Sequence, residues 1–308
     1  MTTAFITHPD CLLHAMGEYH PECPERLSAI HEQLTACGLY AQLQHYQAIP
    51  ATREQLARVH DSAYISHVEH TAPRAGLAYL DPDTAMNPHT WNAALLAAGA
   101  AVLAVDLVMR REVDNAFCSI RPPGHHAERG RAMGFCFFNN VAVAAAHALQ
   151  AHGLARVAIL DFDVHHGNGT EDIFRSEPRV LLCSTFQHPF YPFRGADTGN
   201  AHIINTPLPA CSDGHAFRAA VTRDWLPALE RFQPEMIFVS AGFDAHRDDD
   251  MAMLEWDRED YVWVSREIKR LAEKFAQGRI VSVLEGGYDL PGLGDCVAAH
   301  IDVLSGNE

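Results

Sequence analysis

No Cys-x-x-Cys pair occurs anywhere in the 308 residues, and the cysteines stand singly at 11, 23, 37, 118, 136, 183, 211 and 296. That spacing excludes a thiolate zinc ribbon and a dithiol redox motif. A chain of this length needs no disulfide framework, so reduced thiols and a cytoplasmic setting are expected. Positive charge is scarce: 23 Lys and Arg face 39 Asp and Glu, a formal charge of -16. Such a surface repels nucleic-acid phosphates and anionic membranes, so neither is an expected partner, whereas lysine-rich peptides or polyamines are attracted. Long apolar runs are lacking too. The most apolar stretch, Ala93 to Val105, stops at Asp106, reads as a buried helix and is too short for a bilayer. The opening MTTAFITHPD has no basic segment followed by an apolar one, so no signal peptide is expected. No repeat, low-complexity tract or Ser/Gly linker divides the chain, and residues 1–308 read as one domain, with homo-oligomerisation left open.

What is abundant is histidine, with 20 residues, which directs attention to metal and proton-transfer chemistry. Strands are expected at Ala4–Thr7, Ala116–Arg121, Arg156–Asp163, Val180–Phe186, Met236–Asp244 and Arg279–Glu285. Several are apolar on both faces, as in Val157-Ala158-Ile159-Leu160, and helical patterns lie between them. Those helices are expected from Pro24 to Gly38, over Ala93–Arg111 and Val141–Gln150, and from an Asp257 cap to Gly278. Doubly buried strands alternating with helices predict an α/β fold, one open and mainly parallel sheet with helices on both faces. Ligands in such sheets bind beyond the carboxyl ends of the strands. Four expected strand ends carry acid–base or metal-binding residue types beside glycines: Gly124-His125-His126, Asp161-Phe162-Asp163-Val164-His165, Gly242-Phe243-Asp244 and Glu285-Gly286-Gly287-Tyr288. They predict one composite site.

Asp161, Asp163 and His165 are spaced by two, so in extended chain their side chains share a face and converge. Asp163, His165 and Asp244 from a separate strand supply two carboxylates and one imidazole. With an open position for water, that set suits a catalytic zinc ion better than a closed structural one, although carboxylate-rich ligation also suits Mn²⁺ or Fe²⁺. His125 and His126 follow a stiff Pro-Pro-Gly turn. Metal-assisted amide hydrolysis needs a base for the attacking water and an acid for the leaving amine, and adjacent imidazoles can divide these tasks. Tyr288 at another strand end can donate to the oxygen that gains charge. An isolated His-His pair or Gly-Gly-Tyr is more often structural; the case rests on their joint occurrence at strand ends.

The residues so assembled resemble the zinc-dependent histone deacetylase family, which includes bacterial histone-deacetylase-like amidohydrolases, acetylpolyamine amidohydrolases and acetoin-utilisation proteins. The matching segments are RPPGHHAERGRAMGFCFFNN (121–140), ILDFDVHHGNGTEDIF (159–174), SAGFDAHRDDD (240–250) and LEGGYDLPGL (284–293), supported by HPECPERLSAI (20–30) and VHDSAYI (59–65). The resemblance covers nearly the whole chain, leans to the class II branch, and implies the arginase/deacetylase-like fold. It implies that Asp163, His165 and Asp244 bind zinc. It also implies that His126 is the main base, with His125 its partner on Asp161 and Tyr288 polarising the carbonyl. Asn168 stands where class I proteins carry a carboxylate on the second histidine. An amide stabilises imidazolium less, so His126 is expected to be neutral at rest. A structural K⁺ is further implied, held by Asp161, by backbone oxygens of Asp163 and His165, and by Ser184 and Thr185.

The resemblance places Gly134 and Phe135 on one wall of a substrate channel. Phe190 or Tyr191 is expected on the other, Tyr191 fitting better by the proline that follows, with Gly286 and Gly287 near the reacting end. Met251 occupies the gate where polyamine-selective members carry a glutamate, so an acetylated lysine side chain is favoured over a small acetylated amine such as an acetylpolyamine. Asp248, Asp249 and Asp250 could bind cationic substrate at the mouth or be a solvated acidic turn. The compact chain suggests a bacterial source. Two other classes remain as alternatives: a binuclear manganese ureohydrolase, and an acyl-lysine binding module without catalysis.

Overall fold

Strands that are buried at every residue form the middle of the sheet, because both of their faces are covered. The computed structural model describes residues 1–307. In chain order its first half comprises β1 (Thr3–Thr7), α1 (Glu25–Ala36), β2 (Gln44–Gln47), α2 (Arg53–Ala57), α3 (Ser62–Thr71), β3 (Ala78–Asp81), β4 (Thr84–Met86), α4 (Thr90–Met109), β5 (Asn115–Cys118) and α5 (Asn140–Ala151). The second half comprises β6 (Val157–Asp161), α6 (Asn168–Phe174), β7 (Val180–Gln187), β8 (Ile203–Leu208), α7 (Gly214–Phe232), β9 (Ile237–Ala241), α8 (Arg258–Phe275), β10 (Ile280–Leu284) and α9 (Leu290–Ser305). Eight strands form one sheet in the order β2-β1-β5-β10-β9-β6-β7-β8, and every pairing in it is parallel. A small antiparallel hairpin, β3–β4, stands apart. Helices α4 and α5 pack on each other and on the central strands, while α1, α9, α8 and α7 form a second packed series. The open, parallel α/β architecture is therefore the one expected from the apolar runs.

Four of the six expected strands were drawn too long at their carboxyl ends. β5 stops at Cys118, β6 at Asp161 and β9 at Ala241, so the motif residues lie in the bends that follow. Asp163 and His165 consequently do not converge through strand alternation. The chain turns instead, with the Asp163 N–H donating to Asp161 Oδ1 at 3.2 Å and the His165 N–H to Asp163 Oδ1 at 2.8 Å. These side-chain-to-backbone bonds replace the ladder and fold three residues around one point.

Helix α4 is longer than its most apolar stretch and, at 20 residues with mean hydropathy 1.9, is long and apolar enough to cross a membrane. It is mostly buried, against β1, β5, β10 and α5. Its many alanines allow the helix axis to lie close to the strands; at Gly99 an added Cβ would stand 1.7 Å from the Ile49 carbonyl oxygen.

Candidate active site

Beyond the carboxyl ends of β5, β6, β9 and β10, the strand-end residues meet in a pocket of about 230 Å³. His125, His126, His165, Tyr288, Gly286 and Met251 line it, with Phe135 and Gly134 on one side and Phe190 and Tyr191 on another. Gly287 does not line it; its carbonyl accepts from Arg26 Nε at 2.6 Å. Both aromatic candidates for the second wall are present. Phe190 stacks on His165 at 5.7 Å between ring centroids, and Tyr191 meets His126 edge-on at 5.2 Å. Glycine is required at Gly134, where φ is +56° and a Cβ would fall 2.3 Å from the His126 ring.

Asp163, His165 and Asp244 are buried, and one ligand atom from each lies within 4.8 Å of the others. His165 Nδ1 faces Asp163 Oδ1 at 3.1 Å and Asp244 Oδ2 at 3.2 Å. One ring nitrogen cannot satisfy two carboxylates with a single N–H, and Asp244 Oδ2 is left without a hydrogen bond. Burial and the neighbouring Asp163 charge push the Asp244 carboxyl up to about 6. Against the cost of burial, Asp163 and Asp244 draw His165 up to about 9. The protein thus gathers more negative charge than it neutralises, which is what a divalent cation corrects. The remaining lone pairs are engaged and fix the ligands: Asp163 Oδ2 accepts the Gly286 N–H at 2.8 Å, and Asp244 Oδ1 the Val164 N–H at 3.0 Å. A Cβ at Gly286 would lie 2.0 Å from Asp244 Oδ2, so only glycine leaves room for this cradle.

The tandem histidines are held differently. His125 Nδ1 donates to Asp161 Oδ2 at 2.9 Å. Burial opposes its charge, but Asp161, Asp163 and Glu285 outweigh burial and raise its pKa well above the usual value. His126 Nδ1 lies 2.8 Å from Asn168 Oδ1, an atom that only accepts, so Nδ1 carries the proton and Nε2 is free as a base. Burial, then the charges on His125 and His165, push the His126 pKa well down. Burial also holds the Tyr288 phenol well above its usual value, despite the Arg26 guanidinium 4.9 Å from its ring centroid, so the hydroxyl stays a donor.

Several residues named from the sequence support the site in ways the sequence did not give. Glu285 Oε2 accepts the backbone N–H groups of Gly124 and His125 at 2.7 and 3.1 Å and so fixes the histidine loop; burial raises its carboxyl to about 7. Asp249 belongs to neither a solvated turn nor a substrate clamp. It is buried, and its carboxylate accepts N–H groups from Tyr288 at 2.6 Å, Asp289 at 3.0 Å and Met251 at 3.0 Å. Asp248 and Asp250 remain exposed. Ser184 and Thr185 sit on β7, Ser184 opposite Asp161, and both hydroxyls are buried without partners.

Beneath the pocket, Glu22, Arg26 and Arg121 are fully buried together. Glu22 accepts from Arg121 Nη2 at 2.7 Å, from Arg121 Nε and from Arg26 Nη1 at 3.3 Å, while His14 Nε2 stands 3.3 Å away. Burial works against the charge, yet Arg121 and His14 hold the carboxyl well below its usual range. Glu22→Gln should therefore cost about 3–5 kcal/mol of stability, since it leaves buried guanidinium groups unpaired. Because the folded pKa is depressed, this stabilisation is present above the unfolded carboxylate pKa and lost as pH falls. Urea midpoints of wild type and variant should differ most near neutrality and converge in acid; equal midpoints at pH 7 would refute it. The HPECPERLSAI segment (20–30) was the available signal, though composition gives no hint that its charges are interior.

A second carboxylate–histidine cluster lies away from the pocket, where Asp106 Oδ1 meets His147 Nε2 at 2.8 Å and His152 Nε2 at 2.7 Å. Arg58 Nη1 donates to His147 Nδ1 at 2.7 Å, so the His147 proton sits on Nε2 and points at Asp106. Its hydrogen bonds are complete without an ion.

A family model described as a histone deacetylase domain matches residues 20–304. The histone deacetylase-like amidohydrolase of Pseudomonas aeruginosa is 38% identical, over 99% of this chain and 86% of that protein. The human polyamine deacetylase HDAC10 is 36% identical over 100% of this chain, which spans 48% of that longer protein. Among solved structures, the HDA15 HD domain shares 35% identity with a TM-score of 0.94, covering 99% of this chain and 88% of that one.

Proposed function

The chain belongs to the histone deacetylase family and is an amide-hydrolysing deacetylase, and from that premise we propose that it cleaves the N-acetyl group of an acetylated lysine side chain at one zinc ion held by Asp163, His165 and Asp244. The family and the names of its relatives displace both the binuclear ureohydrolase and the non-catalytic binding module. The observation that carries the proposal is the convergence of that three-donor cluster, the two histidines and Tyr288 on one pocket.

When bound, the ion would supply Lewis-acid polarisation of the acyl oxygen and lower the pKa of a water. The side chains do the rest. His126 Nε2 takes a proton from the attacking water and returns it to the departing amine, so water and amide become acetate and free amine. Asp161 orients His125, whose positive charge keeps His126 neutral beforehand. The Tyr288 hydroxyl donates to the acyl oxygen as charge builds on it. Phe135, Phe190 and Tyr191 give an apolar passage for a four-carbon stem and exclude water. The buried, unpartnered Ser184 hydroxyl opposite Asp161 supports a structural K⁺ in the place that the family resemblance implies; the Thr185 side chain points to the other face of β7.

Met251 at the pocket wall offers no anion to a second ammonium group, which favours acyl-lysine. The Asp83 carboxylate, which also lines the pocket, favours an acetylpolyamine instead, while a net charge of -16 attracts cationic peptides and polyamines alike. Metal analysis of the purified protein together with parallel assays on acetyl-lysine peptide, acetylputrescine and a longer acyl-lysine separates these. One zinc per chain and highest kcat/KM on the acetyl peptide are expected. Activity that survives chelation, or a preference for acetylputrescine, would overturn the metal or the substrate assignment respectively.

A further inference from the structure

We propose that Glu128 is a positioning residue for the base: its carboxylate fixes the orientation of the Asn168 amide, and through it the ring tautomer of His126. The proposal rests on His126 being the base. Glu128 follows His126 by two residues and is absent from the pocket lining, so it acts only through Asn168.

Glu128 Oε1 lies 2.8 Å from Asn168 Nδ2. An ionised carboxylate only accepts, so it takes the amide N–H and forces Asn168 Oδ1 to the opposite side. There Oδ1 stands 2.8 Å from His126 Nδ1 and in turn requires a proton on that nitrogen. The ring's other nitrogen, Nε2, is left with its lone pair. In the flipped amide, Oδ1 would face the Glu128 carboxylate, acceptor against acceptor. The NH₂ group would then donate to His126 Nδ1, and the ring proton would move to Nε2, where it blocks base action. Asn168 Nδ2 also meets the His126 carbonyl at 3.4 Å and Met133 Sδ at 3.3 Å; these are neutral, weaker acceptors that favour the same orientation less strongly than a carboxylate does. A charge-assisted hydrogen bond prefers one orientation by roughly 10- to 100-fold.

Glu128 is itself well anchored. Its N–H donates to the Arg131 carbonyl at 2.9 Å, and its carbonyl lies 3.0 Å from His60 Nδ1. Arg194 Nη1 reaches the same Oε1 at 3.1 Å, but its side chain is 59% exposed, so this ion pair adds little. Asn168 is 5% exposed, but with Glu128 it lines a second pocket of about 70 Å³, so Glu128→Ala admits water there as a weaker, neutral partner.

The arrangement makes residues 128 and 168 a charge-matched pair. Asn168→Asp would set two carboxylates against each other at the position of the 2.8 Å bond. A glutamine at 128 could donate to that aspartate, yet it could equally accept from the native Asn168. The test is a five-variant comparison on the zinc-loaded enzyme, with tautomers read in the metal-free protein. Glu128→Ala should lower kcat about tenfold or more at unchanged KM, whereas Glu128→Gln keeps most of it. Asn168→Asp should be more damaged than Glu128→Ala, and the double variant Glu128→Gln/Asn168→Asp should regain about tenfold or more over Asn168→Asp alone. Arg194→Ala should stay within about twofold of wild type. Imidazole ¹⁵N spectra, with His126 assigned by its alanine variant, should show a pure Nδ1–H tautomer in wild type, a minor Nε2–H population in Glu128→Gln, whose amide can serve either Asn168 orientation, and a larger one in Glu128→Ala.

Equal damage from Gln and Ala at 128, no gain in the double variant, or an unchanged tautomer in Glu128→Ala overturns the proposal. If Glu128→Ala fails to fold, the double variant and the Gln spectrum still decide it. Full activity of His126→Ala would instead overturn the base assignment, and the tautomer spectra would report on Glu128 independently of that result.

Discussion

Replacing His126 with alanine should lower kcat by about 10²–10⁴-fold and leave KM within a few-fold, the range for losing a positioned general base and acid. The expectation follows from which nitrogen is free. Asn168 Oδ1 claims the proton on Nδ1, so Nε2 is left unprotonated, and burial beside the charged His125 keeps the ring neutral. Its neighbour cannot substitute, because His125 is tied to Asp161 and its pKa is held high by surrounding carboxylates. A charged imidazole has no lone pair to accept the proton of water. Steady-state kinetics on an acetyl-lysine peptide check this. A variant with more than a tenth of wild-type kcat would transfer the base role elsewhere.

Tyr288→Phe should lower kcat by about 10²–10³-fold, the usual effect of removing one donor to a developing oxyanion. The substitution is clean because the ring's placement does not depend on its hydroxyl. Arg26 lies over one face, Phe135 meets the ring edge-on at 6.1 Å between centroids, and Asp249 holds the backbone N–H at 2.6 Å. Phenylalanine inherits all three contacts and loses only the donor. KM and thermal midpoint should therefore stay near wild type while kcat falls, the signature of an interaction made only in the transition state. A matching rise in KM with kcat preserved would make Tyr288 a substrate-binding group instead.

How much of this was legible in the sequence depended on burial. Strands β6, β9 and β10 are covered on both faces, so each reads as a mostly apolar run, broken only by Asp161, Ser240 and Ser282. Edge strands gave no such signal: β2 is Gln-His-Tyr-Gln and largely exposed, and β8 carries Pro207. Helix α7 contains Pro227, and α9 contains Gly292 and Gly294, residues that ordinarily mark a break rather than an interior. The site's chemistry was visible because its residue types cluster at strand ends. Its supports were not. Glu22, Arg26, Arg121, Asp249 and Glu285 are charged residues in the interior, and nothing local distinguishes them from solvated ones. The geometry of Asp163 and His165 was misjudged for a related reason, since a strand's end depends on where its neighbours stop pairing.

The position of β10 constrains how the molecule can be made. It is the last strand in the chain, yet it lies between β5 and β9 at the centre of the sheet. Until it is inserted, β2-β1-β5 and β9-β6-β7-β8 are two separate ribbons, each with an open apolar margin that can pair with another chain. A nascent or truncated chain that stops before Ile280 therefore has a strong tendency to aggregate. The same closing segment delivers Glu285, Gly286 and Tyr288. Completion of the fold and arrival of the last reactive groups are therefore one event.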